Sequence, residues 1–248
     1  MSDELVIDRQ DTTWSFTLNR PAKRNALSSE LVEALLDSVE RAHEARARLL
    51  VFRGAGANLS AGFDFTDVES ESEGDLLRRF VRIETLLATV AASPAMTLAL
   101  AHGRNFGAGV DLFGACRARI AAPESTFRMP GLLFGLVLGT RRFGEIVGAA
   151  KAQTILQSAA TFDATEAREM GFVHRVAAPE DWSDAVAQSA TAASACDDAS
   201  RAALFKATSH EQADADLAAL VRSAARPGLK ARIATYLQAS ASKTPPRP

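Results

Sequence analysis

The sequence predicts an α/β core that continues into a purely helical region. Three observations carry this. Short apolar runs bounded by turn residues recur through the first 178 residues, and stretches with helical spacing of apolar residues lie between them. From Glu180 to about Ala239 only the helical spacing remains, and alanine dominates. The 248 residues suffice for one large domain or a domain with an appendage. The expected division is an α/β core over 1–178, a helical region over 179–240 and a disordered tail over 241–248.

Glu4 to Asp8 and Thr12 to Leu18 read as two strands around an Arg9-Gln10-Asp11 turn. Asn19 to Asn25, NRPAKRN, is a polar, basic loop. Ser28 is placed to cap a helix whose inward stripe is Leu31, Leu35, Val39 and Ala42. Arg48 to Arg53 is a buried strand, followed by the loop GAGANLS (Gly54 to Ser60), which Ala61 to Phe65 closes. Glu69 to Asp75, ESESEGD, has too little apolar surface to pack and reads as a mobile surface loop. Leu76 to Ala92 is a helix with Leu76, Phe80, Ile83, Leu87 and Val90 inward. Ala95 to Ala101, Arg117 to Ala121 and Ser125 to Arg128 are strands. Gly144 to Ala160 and Ala164 to Met170 are helices, the second capped at Asp163, and Phe172 to Val176 is a last strand.

The chain is organised around His102 to Cys116, HGRNFGAGVDLFGAC. Gly107, Ala108 and Gly109 open a helix there. The first N–H groups of a helix have no internal partner, and the macrodipole makes that end partly positive. Gly107 and Gly109 let another group approach this backbone closely. Asp111 lies one turn further in, and helical side chains lean toward the N-terminus, so its carboxylate can reach the same space. Donors for a developing oxyanion and an acid/base thus share one pocket. The alternative is that the glycines serve helix–strand packing and Asp111 only favours the helix start. The stretch alone leaves both open.

Other chemistries find little support. The formal net charge of −2 gives no general attraction to nucleic acid or to an anionic membrane. Cys116 and Cys196 lie far apart, which suits reduced, buried thiols in a cytoplasmic protein. The opening MSDELVIDRQ does not read as a signal peptide, and no apolar run is long enough to span a bilayer. GAG at Gly54 to Gly56 lacks the third glycine of a dinucleotide site, no P-loop is present, and the four histidines lack zinc-type spacing. His102 precedes the glycine turn and is a catalytic candidate, although a lone histidine at a strand end is more often a satisfied structural group. Ser60 is not in a nucleophile elbow. Two backbone anion cradles remain, near Ala61–Phe63 and near Gly107–Gly109.

Those cradles, with the basic loop upstream, resemble the crotonase (enoyl-CoA hydratase/isomerase) superfamily over most of the chain. LNRPAKRNALSSEL (Leu18 to Leu31) is similar to the motif that lies along the CoA nucleotide. LLVFRGAGANLSAGFDF (Leu49 to Phe65) resembles the motif giving the first oxyanion-hole N–H, here Phe63. NFGAGVDLFGACRARIAA (Asn105 to Ala122) resembles the one giving the second, here Ala108. GTRRFGEIVGAAKA (Gly139 to Ala152) and FDATEAREMGFVHRV (Phe162 to Val176) are also similar to the family. The resemblance implies a spiral of β-β-α units with a C-terminal helical oligomerisation region, assembled as a homotrimer or dimer of trimers. It implies an acyl-CoA substrate, with coenzyme A part of that substrate and no tightly bound cofactor or metal. Asp111 would be the catalytic acid/base. Arg24, Ala26, Ala61, Gly62, Asp64, Phe65, Gly107, Pro130 and Gly131 would contact CoA or acyl group.

The sequence departs from the two-acid hydratase pattern. The second acid would follow Pro130, where Gly131 stands, and GLVLGTRRF (Gly135 to Phe143) lacks the PGxG segment expected there. GVDL (Gly109 to Leu112) is closest to dienoyl-CoA isomerases. Glu84 and Glu145 are candidate replacements, but both read as exposed helix residues. The expected activity is hydration or isomerisation through an enolate, with Asp111 as acid/base. Alternatives are another enolate or tetrahedral step, such as decarboxylation or thioester or C–C hydrolysis, and a non-catalytic acyl-CoA-binding protein.

Overall fold

The computed structural model describes residues 3–209 and 212–242; most of the tail, 243–248, lies outside them. In chain order the elements are β1 (Leu5–Gln10), β2 (Thr13–Leu18), α1 (Ser29–Glu44), β3 (Leu49–Gly54), α2 (Glu73–Ala91), β4 (Met96–Ala101), β5 (Arg104–Phe106) and α3 (Ala108–Ala115). Then follow β6 (Ala118–Ala121), β7 (Thr126–Arg128), α4 (Thr140–Val147), α5 (Ala149–Ser158), β8 (Thr161–Asp163), α6 (Ala164–Glu169) and β9 (Arg175–Val176). The chain closes with α7 (Trp182–Ala193), α8 (Asp198–Thr208), α9 (Ala213–Ala224) and α10 (Leu229–Ala241).

Two sheets form. The larger runs β1-β2-β3-β4-β6-β9 and is parallel except for the β1–β2 hairpin; the smaller runs β5-β7-β8. The inner strands are covered on both faces, which is why they read as continuous apolar runs. Leu50 and Phe52 of β3 point into the main core with the stripes of α1 and α2. Leu49 and Val51 point the other way, into a second cluster with Leu98, Leu100 and Ile120 that α7 covers through Ala185 and Ala193. Ser28 caps α1 by accepting from the Leu31 N–H, and Asp163 caps α6.

Several elements differ from the sequence reading. The β1–β2 turn is Asp11-Thr12, because Gln10 pairs with Thr13. The acidic segment is not one loop. Ser72 and Asp75 form a reciprocal capping box, so α2 begins at Glu73. Glu71 pairs with Arg79 at 2.6 Å, and the Lys230 ammonium donates to the carbonyls of Glu69 and Glu71. Charge ties this segment where apolar surface does not. The turn-and-helix stretch holds a strand, β5. Gly148, at φ 85°, breaks the long helix expected at Gly144 to Ala160 into α4 and α5. Only Arg175 and Val176 of the last expected strand pair with β6; Phe172 instead packs among Phe113, Phe127, Phe143 and Phe162. Cys116 is buried as expected, while Cys196 is half-buried.

The C-terminal helices share the core. Leu220 and Ala224 of α9 and Leu229 and Ile233 of α10 join the main cluster. α9 packs on α2, and α10 packs on α2 and on a 3-10 turn at Gly131–Phe134. This brings α10 over the cavity described next.

Candidate active site

Two peptide groups face one cavity, each aimed by a bond at its carbonyl end. The Phe106 N–H donates to the Ser60 carbonyl at 3.1 Å and the Gly107 N–H to the Arg128 carbonyl at 2.8 Å, so β5 stands between the Ser60 loop and β7. Gly107 then turns the chain into α3 at φ 46° and ψ −126°, a conformation that suits glycine. Its carbonyl accepts from Val110 and Asp111 N–H groups at 2.8 and 3.1 Å. In a trans peptide the N–H points opposite to the carbonyl, so the Ala108 N–H leaves the helix start outward. On the facing loop the Gly62 carbonyl accepts from the Leu27 N–H at 2.7 Å, which turns the Phe63 N–H away from Leu27. Neither the Phe63 nor the Ala108 N–H has an acceptor among the described residues.

The two segments touch. A Cβ on Gly62 would lie 2.4 Å from the Phe106 carbonyl oxygen and 3.1 Å from the Ala108 nitrogen. The approach expected at Gly109 is made by the protein itself: a Cβ there would lie 2.6 Å from the Ser60 Cβ. Gly107 is different, since no atom lies nearer its Cβ position than the Pro130 ring at 4.0 Å, and its backbone angles explain the glycine.

The cavity holds about 230 Å³. Asp111 reaches it from one turn inside α3 and is the one acidic residue among its described lining. The Asp111 Oδ1 is buried and has no hydrogen-bond partner among the described residues. Gly139, which precedes α4, is pressed against this carboxyl; a Cβ there would lie 2.0 Å from Oδ1. Burial pushes the Asp111 carboxyl well above the usual carboxylate range, the negative charge of Glu84 pushes the same way, and Arg142 opposes them.

Glu84 is not the exposed residue that the sequence reading expected. It is 1% exposed and pairs with Arg142 at 2.8 Å, and Arg142 also meets Asp216 at 3.3 Å. It acts on Asp111 through its field and does not line the cavity. Glu145 is exposed, and pairs with Arg141 at 2.6 Å. Gly131 opens the 3-10 turn and lines the cavity, as do Leu132, Leu136 and Leu138. No second acid stands there.

Of the residues named from the sequence, Arg24, Ala61, Phe65, Gly107, Pro130 and Gly131 line the cavity, with Phe63, Ala108 and Asp111. Ala26, Gly62 and Asp64 do not. The Ala26 carbonyl and the Asp64 carboxylate both hold Arg20, at 2.6 and 2.7 Å, and Asp64 also accepts from the Thr66 N–H and hydroxyl. These bonds fix the loop that leads to the Phe63 N–H. Arg24 is exposed and in the left-handed region at φ 51°; its carbonyl accepts from the Ala61 N–H at 2.8 Å, and its guanidinium is unpaired among the described residues. The His102 Nε2–H donates to the Gly56 carbonyl, 2.8 Å away, and the ring packs against Trp182, outside the cavity. Tyr236 and Leu237 of α10 and Phe80 of α2 complete the wall, and the sequence reading had not placed them there. No group of three His, Cys, Asp or Glu side chains among the described residues could hold a metal ion, and no helix among them is long and apolar enough to cross a membrane.

The two-sheet β-β-α spiral with its helical C-terminal region is the crotonase fold, the scaffold of a class of acyl-CoA enzymes. The sequence pattern of the enoyl-CoA hydratase/isomerase family matches residues 8–234, and the chain belongs to that family. It is 32% identical over 174 residues to the Mycobacterium tuberculosis protein named "Probable enoyl-CoA hydratase echA6", covering 68% of this chain and 69% of that protein. It is 33% identical over 180 residues to the human "Enoyl-CoA hydratase domain-containing protein 2, mitochondrial", covering 71% of this chain and 62% of that protein. A crystal structure from Bordetella parapertussis, named "putative enoyl-CoA hydratase/isomerase", superposes with a TM-score of 0.94 at 62% identity, over 95% of this chain and 99% of that one. The enoyl-CoA hydratase of Bacillus halodurans shares the fold at a TM-score of 0.82 and 20% identity, over 94% of this chain and 99% of that one.

Proposed function

We propose that this protein shifts a double bond in an enoyl-CoA thioester through an enolate, with Asp111 as its single acid/base. The thioester carbonyl accepts from the Phe63 and Ala108 N–H groups. Asp111 takes a proton from one carbon as negative charge builds on that oxygen, then returns the proton to the carbon two positions away. The electron pair of the broken C–H bond becomes the new double bond, so no co-reactant is consumed. Preorganised donors count most where charge develops, since they need not reorient at the moment of reaction.

The observation that carries this reading is the single carboxyl in the described lining of the cavity. Hydration by the two-acid route needs one acid to direct water and another to move the proton. Gly131 and the leucines of the cavity lining supply neither. A raised proton affinity suits a group that must keep a proton between its two transfers. The test is incubation with 2-enoyl- and 3-enoyl-CoA esters of several lengths, with products separated by chromatography. Positional isomers are expected to interconvert with little 3-hydroxyacyl-CoA. Predominant 3-hydroxyacyl-CoA overturns the single-acid reading.

In this reading Arg24, which is exposed and belongs to the cavity lining, is the CoA phosphate contact. Arg24→Ala is expected to weaken acyl-CoA binding by about fivefold or less, the size of an exposed ion pair. That difference should shrink as salt is added, because exposed charges are screened. Calorimetry at low and high ionic strength checks both; equal affinities for the two proteins at low salt remove Arg24 from the site.

A further inference from the structure

Beneath the two donors lies a buried polar cluster, with Ser60 at its centre. Ser60 is fully buried. Its hydroxyl donates to the Asn25 carbonyl at 2.7 Å and accepts from the Gly62 N–H at 3.1 Å. The same residue's carbonyl accepts from the Phe106 N–H at 3.1 Å. Its side chain packs on Gly109, where a Cβ would come within 2.8 Å of Oγ. Asn105 holds it from below: its Oδ1 accepts from the N–H groups of Leu59 and Ser60 at 3.1 and 3.4 Å, and its Nδ2 donates to the carbonyls of His102 and Gly103 at 3.2 and 3.1 Å. One side chain thus touches both halves of the site. The Gly62 N–H that it binds is one residue before the Phe63 donor; the Gly109 that it packs on is one residue after the Ala108 donor.

We propose that the Ser60 hydroxyl is a positioning residue that holds the Phe63 and Ala108 N–H groups at a fixed separation, an inference that rests on the enolate reading above. Gly62, at φ 80°, has one peptide pinned by Ser60 and the next pinned by Leu27. Two bonds therefore fix both dihedrals around one glycine, a residue that would otherwise move easily. Without the hydroxyl the Gly62 N–H loses its acceptor in a buried place, and a buried donor without a partner drives the backbone to shift until it finds one. The shift would turn the neighbouring Phe63 N–H. A thioester oxygen needs both donors at once, so misaligning one reduces the charge stabilisation without emptying the site.

The test uses Ser60→Ala and Ser60→Cys, with the wild type as reference. Cysteine keeps nearly the volume and loses most of the hydrogen-bond strength, so it separates bonding from packing. The probe is a saturated acyl-CoA carrying ¹³C at the thioester carbonyl, read by difference infrared spectroscopy, beside steady-state kinetics on the enoyl-CoA substrate. The wild type is expected to lower the carbonyl stretching frequency on binding. Both variants should recover part of the way toward the free frequency, with kcat down roughly tenfold, a fraction of the effect of removing a donor outright, and KM little changed. A lower melting temperature with unchanged band and kcat overturns the proposal, since Ser60 is then merely structural. So does failure of both variants to fold. If the wild-type band itself does not move, the enolate reading falls and the positioning role with it.

Discussion

Asp111→Asn is expected to lower the rate of proton transfer by roughly 10²–10⁴-fold, the usual contribution of a general acid–base group. The affinity for CoA esters should change little, because the backbone donors and the apolar wall are untouched. Asparagine keeps the size of the side chain and cannot carry a proton between carbons. The same variant should be more stable than the wild type, and increasingly so as pH rises. The folded protein holds the Asp111 proton more tightly than the unfolded chain does. The stability linked to that proton is complete below the unfolded pKa and is lost as pH climbs through the raised folded value. Asparagine has no such loss. Single-turnover kinetics and melting curves across pH check both halves. A folded Asp111→Asn with full activity makes Asp111 structural, and chemistry at the two donors with another acid or none would then lead.

Ala108→Pro is expected to lower kcat by about 10²–10³-fold, equivalent to ~2.7–4 kcal/mol, the cost of one oxyanion donor. No ordinary side-chain change at this position deletes an N–H; proline does. Ala108 is the first residue of α3, where proline is well tolerated because the lost N–H has no helical partner. The proline ring also enters the space where the thioester oxygen would sit, so affinity should fall as well. Ala108→Gly keeps the N–H and serves as the control, retaining most of the activity. Circular dichroism on both establishes that the fold survives. A folded, fully active Ala108→Pro removes this N–H from the mechanism.

Much of the site was legible because its signals are local. A helix start, its glycines and an acid one turn inside it are contiguous in GAGVD, and the resemblance pointed to the facing N–H of Phe63, the donor proposed above. The caps at Ser28 and Asp163 were equally local. Glu84 could have been placed. It lies four residues after Phe80 and three before Leu87, inside the inward stripe of α2, and an acid there calls for a buried partner. Its partner Arg142 could not be read, because 58 positions separate them and only the packing of α4 joins them. Tyr236 reached the cavity in the same way, through the fold-back of α10. The Glu69 to Asp75 segment misled because apolar content alone was weighed; the Ser72–Asp75 capping box was present in the letters.

The donors proposed at Phe63 and Ala108 belong to the main chain, and this has a consequence for how such a protein can change. A point mutation replaces a side chain, so all amino acids but proline leave either N–H in existence. On that reading the hole depends on the pair of turns at Gly62 and Gly107, not on the identity of the residues that donate. The acids are the opposite case, each open to loss in a single codon. A lineage built this way can exchange one reaction for another by trading carboxylates around an unchanged hole. Gly131 in this chain stands where the two-acid pattern has its second carboxylate.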